Sequence, residues 1–168
     1  MNIRDCTPTD ASGLCEIYNY YIDNTVITFE EVPLTVEQME HRVASYTQTH
    51  PWLVGEVDGT LVGYAYASKW HQRSAYRYCV ESSVYLKHTE RGCGYGTALY
   101  QELLRRITGN NCHVVIGGVA LPNPASVRLH EKLGFTQAAH YREVGRKFGK
   151  WIDVAYWQKI LPEAIQLA

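Results

Sequence analysis

Arg91-Gly92-Cys93-Gly94-Tyr95-Gly96-Thr97 joins two runs of different periodicity. The segment before it, Tyr78 to Leu86, is rich in β-branched and aromatic residues, and the segment after it, Ala98 to Ile107, repeats apolar groups at helical spacing. The glycines therefore occupy a strand-to-helix junction. Glycine allows positive φ and close approach of the backbone to a ligand, and the free N–H groups of the following helix favour an anion. Each hydrogen bond to a charged acceptor is worth roughly 1.5–3 kcal/mol, so three or four hold a pyrophosphate firmly. The spacing is neither the G-x-G-x-x-G of a dinucleotide site nor a Walker loop, which places Lys directly after its last Gly.

The flanking sequence reads as a mixed set of elements. Ile3 to Cys6 predicts a short strand, and Thr9 or Asp10 caps a helix that carries Leu14, Ile17, Tyr18, Tyr21 and Ile22 on one face and ends near Asn24. Thr35 with Gln38 has capping-box form and opens a second helix through Met39, Val43 and Tyr46. Trp52–Val57, the Asp58-Gly59 turn and Leu61–Ser68 predict a hairpin. Beyond the loop helix, which ends at Gly109-Asn110-Asn111, His113–Ala120 reads as a buried strand. Ala125–Leu133 reads as a short helix capped by Asn123 and stopped by Gly134. Trp151–Gln158 alternates as a last strand, with a further short strand near Thr136. The order β, α, α, β, β, β, α, β, α, β is that of an α+β fold.

At 168 residues the chain has room for one domain with a full core. A formal net charge of −1, with both signs interspersed, lacks the electrostatic footprint of a nucleic-acid binder. The segment Met1-Asn2-Ile3-Arg4-Asp5-Cys6 leads straight into mixed sequence without the apolar run of a signal peptide or membrane span, so a cytoplasmic protein without membrane contact is expected. Five cysteines, with no Cys-x-x-Cys and no Cys/His cluster at ligand spacing, predict neither a disulfide framework nor a metal site. Cys93 is read as part of the loop and not as a nucleophile, because no Cys-His-Asn/Asp arrangement lies near it in sequence.

Arg91-x-x-Gly94-x-Gly96 resembles the pyrophosphate loop of the GNAT superfamily of N-acetyltransferases, and Asn123 to Phe135 resembles that superfamily's Asn-x-x-Ala/Ser…Tyr-x-x-x-Gly-Phe segment. Val80 to Leu86, Leu121 to His130 and Gly145 to Val154 are similar, more narrowly, to the phosphinothricin and methionine sulfone/sulfoximine N-acetyltransferases. The resemblance implies one acetyltransferase domain over residues 1–168, with the GNAT (acyl-CoA N-acyltransferase) fold, a mixed central sheet carrying helices on both faces. It also implies acetyl-CoA as co-substrate, no metal, a small-molecule amine as acceptor and a homodimer.

Acetylation of an amine needs an uncharged nitrogen, donors for the developing oxyanion and a proton for the departing thiolate. Glu81, mid-strand among Cys79, Val80, Ser83 and Val84, is the candidate base; desolvation there should raise its pKa, and the matching family glutamate is the proposed base. A solvent-facing edge-strand Glu is the plainer reading. Val84, Tyr85 and Leu86 are expected to offer backbone groups to the pantetheine arm, with Val84 N–H a candidate for the thioester oxygen; an ordinary ladder is the alternative. Arg91, Gly92, Cys93, Gly94, Tyr95, Gly96 and Thr97 form the expected pyrophosphate site. The resemblance implies a CoA contact near the pantetheine for Asn123, which serves equally as a plain helix cap, and a cofactor contact for Ser126. His130 stands where many superfamily members carry the tyrosine proposed as general acid; an imidazole can donate a proton near neutral pH, or simply pack. For the acceptor, Arg73 and then Arg77 are candidate carboxylate clamps, beside Glu81, with an ordinary exposed arginine the alternative for each, and the resemblance adds Phe29 and Glu30 as pocket walls. The same chemistry on a peptide N-terminus or a polyamine, and a non-catalytic acyl-CoA sensor, are the alternatives.

Overall fold

Apolar alternation along the Trp52–Val57 strand sends Leu53 into one hydrophobic core and Trp52 and Val54 into another, as a sheet with helices on both faces requires. The computed structural model describes residues 1–108 and 110–162. Gly109, expected to help end the loop helix, lies outside the described residues. The elements are β1 (Asn2–Asp5), α1 (Ala11–Asn24), α2 (Val36–Tyr46), β2 (Trp52–Val57), β3 (Thr60–Lys69), β4 (Cys79–Leu86), α3 (Tyr95–Ile107), β5 (Val114–Ala120), α4 (Pro124–Lys132), β6 (Thr136–Lys147) and β7 (Lys150–Ile160). The seven strands form one mixed sheet in the order β1-β2-β3-β4-β5-β7-β6, antiparallel except where β4 meets β5.

Helix α3 buries Leu99, Tyr100, Leu103 and Ile107 on one face of the sheet, against Leu53, Val80, Val115 and Trp157. Helices α1 and α2 bury Leu14, Ile17, Tyr18, Met39 and Val43 on the other, against Trp52, Val54 and Tyr64. Each fully buried Leu contributes about 1.5–3 kcal/mol relative to exposure, so these stripes hold the layers together. Local signals act as expected at two places. Gln38 N–H donates to Thr35 Oγ1 and Thr35 N–H to Gln38 Oε1, closing the capping box of α2, and Asp58 (φ 50°) and Gly59 (φ 75°) make a hairpin turn of positive φ. No described helix is long and apolar enough to cross a membrane.

Helix α1 starts at Ala11 with Asp10 as its N-cap, one of the two caps the sequence offers, after a 3-10 turn over Pro8–Asp10 whose capping box joins Thr7 to Asp10. Two later boundaries differ from expectation. Helix α3 starts earlier, at Tyr95, because Gly94 in the left-handed region is its N-cap. The largest difference is β6, which runs for twelve residues instead of a short piece near Thr136. Most of β6 is exposed and it carries bulges at Gln137/Ala139 and Tyr141/Gly145, so a two-residue apolar alternation never develops in its sequence.

Candidate functional site

The β4–β5 ladder stops early. Cys79, Val80 and Glu81 pair with Val114, Val115 and Ile116, and beyond that the strands part, while β4 remains paired to β3 and β5 to β7. Residues 82–86 and 117–120 thus each keep one strand edge open toward the other. A backbone with one free edge is an acceptor site for an extended, amide-bearing chain. The opening is a cleft of about 490 Å³ lined by Ser82 to Leu86, Arg91, Gly92, Gly94, Gly96 and Thr97 on the β4–α3 side. Gly118 to Ala120, Asn123, Ser126 and His130 close it on the β5–α4 side.

At one end of the cleft the glycine loop meets α3. Gly92 and Gly94 have φ of 82° and 81°, and no atom lies within 4 Å of a Cβ added at either, so backbone conformation and not crowding requires glycine there. Gly94 places the first-turn amides of α3, with the positive end of the helix dipole, at the cleft. Arg91 lines the same end. Asn123 Oδ1 accepts from Ser126 N–H at 3.1 Å, so it caps α4 while lining the cleft.

Glu81 sits at the other end, where the ladder breaks. Its Oε1 lies 3.4 Å from the point a Cβ on Gly118 would occupy, which puts the carboxylate at the rim of the cleft. It also lines a second hollow of about 810 Å³ together with Ser68, Lys69, Gln72 and Arg77. Glu81 therefore stands on the seam between the two spaces. Burial raises its pKa above the ordinary carboxylate value, in the direction the sequence predicts for a mid-strand base.

The proposed acceptor residues are scattered. Arg77 lines the hollow that holds Glu81, its guanidinium donating to Tyr78 Oη at 2.6 Å and to Ser74 O at 3.2 Å. Arg73 is exposed at the start of the 3-10 turn Ser74–Tyr76 and lines neither hollow. Phe29 lies over Gly145, where any Cβ would collide with its ring. Glu30 is engaged by Arg42 in two hydrogen bonds, at 2.9 and 3.2 Å, and by Tyr18 Oη at 3.0 Å. Tyr18 Oη also meets Thr28 Oγ1 at 2.8 Å, and the buried Lys147 donates to Thr28 O at 2.8 Å. Glu30 and Phe29 thus fasten the α1–α2 connection, next to Ile27, which lines the cleft.

Sequence reasoning passed over Ser82 and Tyr100. Both line the cleft and both are buried, Tyr100 fully, and each reads in sequence as an ordinary core position. Ser82 Oγ donates to Ile116 O at 3.0 Å, the carbonyl where the ladder ends, and lies 2.6 Å from Tyr100 Oη. Tyr100 Oη lies 3.1 Å from His130 Nε2, and His130 Nδ1 is 2.8 Å from Ser126 O. His130 is buried, and burial lowers its pKa.

A family model described as an acetyltransferase (GNAT) domain matches residues 3–156. The chain is 38% identical over 159 residues to a phosphinothricin N-acetyltransferase of Streptomyces viridochromogenes, covering 95% of this chain and 87% of that protein. It is 35% identical to an L-methionine sulfoximine/L-methionine sulfone acetyltransferase of Salmonella typhimurium, covering 97% and 96%. The crystal structure of a phosphinothricin acetyltransferase from Sinorhizobium meliloti in complex with acetyl-CoA superposes with a TM-score of 0.93 at 36% identity, over 99% of this chain and 91% of that one.

Proposed function

Because the chain belongs to the GNAT acetyltransferase family, we propose that it transfers the acetyl group of acetyl-CoA to the α-amino group of a small L-amino acid analogue of the methionine sulfone, methionine sulfoximine or phosphinothricin type. The observation that carries this reading is the broken β4–β5 ladder, with a glycine-capped helix N-terminus at one end and a desolvated carboxylate at the other. The open edges of β4 and β5 suit a pantetheine arm, and the first turn of α3 with Arg91 suits a pyrophosphate. Glu81, at the seam, takes a proton from the acceptor ammonium on the hollow side and leaves a nucleophilic amine facing the cleft. Val84 N–H is the candidate for the thioester oxygen on the open strand, and His130 bounds the cleft on the α4 side, where the departing thiolate takes up a proton. Arg77, which shares Glu81's hollow, is better placed than Arg73 to hold a carboxylate.

The enzyme is read as one cytoplasmic domain acting as a homodimer without a metal. The exposed Tyr141, Val144, Phe148 and Trp151 of the β6–β7 hairpin support a subunit contact. The deciding test is incubation of the purified protein with acetyl-CoA and a panel of methionine sulfone, methionine sulfoximine, phosphinothricin, common amino acids, spermidine and an N-terminal peptide, read by mass spectrometry. Product confined to the tetrahedral amino-acid analogues is the expected result. Product on peptide or polyamine alone overturns the acceptor assignment, and tight acetyl-CoA binding with no product overturns catalysis.

A further inference from the structure

The buried chain that joins Ile116 O, Ser82, Tyr100, His130 and Ser126 O crosses the cleft floor where the strands part, linking β5, β4, α3 and α4. Its hydrogens can be counted. Ser126 O only accepts, so His130 Nδ1 carries a hydrogen, and a neutral ring then leaves Nε2 as an acceptor. Tyr100 keeps its phenolic hydrogen, because burial pushes its pKa up, and so donates to Nε2. Ser82 has one hydrogen left for two neighbours, Tyr100 Oη at 2.6 Å and Ile116 O at 3.0 Å. The neutral chain is thus one hydrogen short of satisfying every contact it makes.

One added proton completes it. With Nε2 protonated, His130 donates to Tyr100, Tyr100 donates to Ser82, and Ser82 donates to Ile116 O, so all contacts are made; the Tyr100–His130 bond has reversed, while Nδ1 still donates to Ser126 O. When Ser82 turns its hydrogen from Ile116 O to Tyr100, every hydrogen from Ser82 to Nε2 points one way and the neutral chain can receive a proton at Ser82 Oγ; when Ser82 of the protonated chain turns away from Ile116 O, it can give one back. The groups that face it are Tyr100 from α3, Glu81 from β4 (whose charge acts on Tyr100), the uncharged Trp157 from β7 and Phe135 after α4, and the Gly117 backbone of β5, against which the His130 ring lies. No cation is among its hydrogen-bond partners within the described residues.

We propose that Ser82, Tyr100 and His130 form a single proton relay that takes the proton leaving the attacking nitrogen and returns it to the departing sulfur. The inference rests on the acetyl-transfer reading and deepens it. Glu81 first removes one proton from the ammonium. The neutral amine forms the C–N bond, the N–H proton of the tetrahedral adduct passes through Ser82 and Tyr100 to His130 Nε2, the C–S bond breaks with its electron pair on sulfur, and the same proton returns to make the thiol. One proton is released overall, through Glu81, and the relay ends as it began.

A double-mutant cycle tests this, with Tyr100→Phe, Ser82→Ala and the double variant assayed for kcat, acceptor KM and acetyl-CoA affinity. If the residues act as one unit, each single change lowers kcat about 100-fold, acetyl-CoA affinity and acceptor KM stay within about threefold, and the double variant is no slower than either single one. A solvent deuterium proton inventory should be curved for the natural enzyme and linear for Tyr100→Phe. Unchanged kcat in Tyr100→Phe, or losses that multiply in the double variant, would overturn the relay. If the unsubstituted protein acetylates no amine, the acetyl-transfer reading itself fails, so the two failures are told apart.

Discussion

The cleft beside α3 and the hollow beside Glu81 meet at one carboxylate yet are built from different material. Open strand edges of β4 and β5 and a glycine-capped helix terminus shape the cleft, so backbone groups face a ligand along its length. The hollow is lined by side chains from α2, β3, β4, the segment before β4 and the connection after α3. A backbone-built site needs particular residues only where conformation demands them, and so leaves a short contiguous signature. A side-chain-built site can change its ligand one residue at a time, and leaves none.

The largest expected effect is on the backbone side. Gly94→Val places a β-branched residue at φ 81° and should displace the first turn of α3. Losing two charge-assisted bonds at about 1.5–3 kcal/mol each weakens acetyl-CoA binding at least about 100-fold. Calorimetry would measure it, and affinity within about threefold of the natural protein would mean that side chains, not backbone, hold the ligand.

Glu81→Gln should lower kcat by about 100-fold or more at neutral pH with acetyl-CoA affinity unchanged, because it alters the seam and leaves the cleft wall intact. The acid limb of the kcat/KM profile should also disappear. A base must be ionised to act, and burial holds this one above the ordinary carboxylate range, so activity in the natural protein falls at a pH above that range. An acid limb that survives in the Gln variant would assign the limb to another group.

Within the hollow, Arg77→Ala should raise acceptor KM about tenfold, while Arg73→Ala should stay within about twofold. The reverse ranking, in steady-state assays with the best acceptor, would place the carboxylate clamp on the exposed 3-10 turn instead.

The smallest effect is on stability. A carboxyl whose folded pKa is raised favours the folded state only while it is protonated, and the ionised form carries a desolvation cost that grows as pH rises from its unfolded value through its folded value. Glu81→Gln should therefore melt a few degrees higher than the natural protein at pH 7–8, and the difference should vanish below about pH 4. Equal melting temperatures at both pH values would show that Glu81 is solvated when ionised.

Residues that act through their own backbone or their own periodicity are legible in the chain itself. Thr35 and Gln38 announce the cap of α2, Asp58-Gly59 the hairpin, and Gly92 and Gly94 the positive-φ turn into α3, because each signal is contained within a few neighbours. Leu14, Ile17, Tyr18, Tyr21 and Ile22 mark the buried face of α1 for the same reason. β6 is largely unreadable because its exposed face carries no apolar rhythm and its register is set by β7. For Glu30 the family resemblance alone offers a pocket wall, and in the fold it bonds to Arg42 and Tyr18, partners twelve residues away on either side.

The amino-acid order alone thus determined the helices, most strands, the glycine loop and the candidacy of Glu81, since these follow from dihedral freedom, apolar period and local desolvation. Only the tertiary structure decided that β4 and β5 part after Ile116, that Arg77 and not Arg73 shares Glu81's hollow, and that Tyr100 touches both Ser82 and His130. Those two contacts join residues 18 and 30 positions apart, and such meetings depend on how helices settle on the sheet, a property of the whole core and of no single segment.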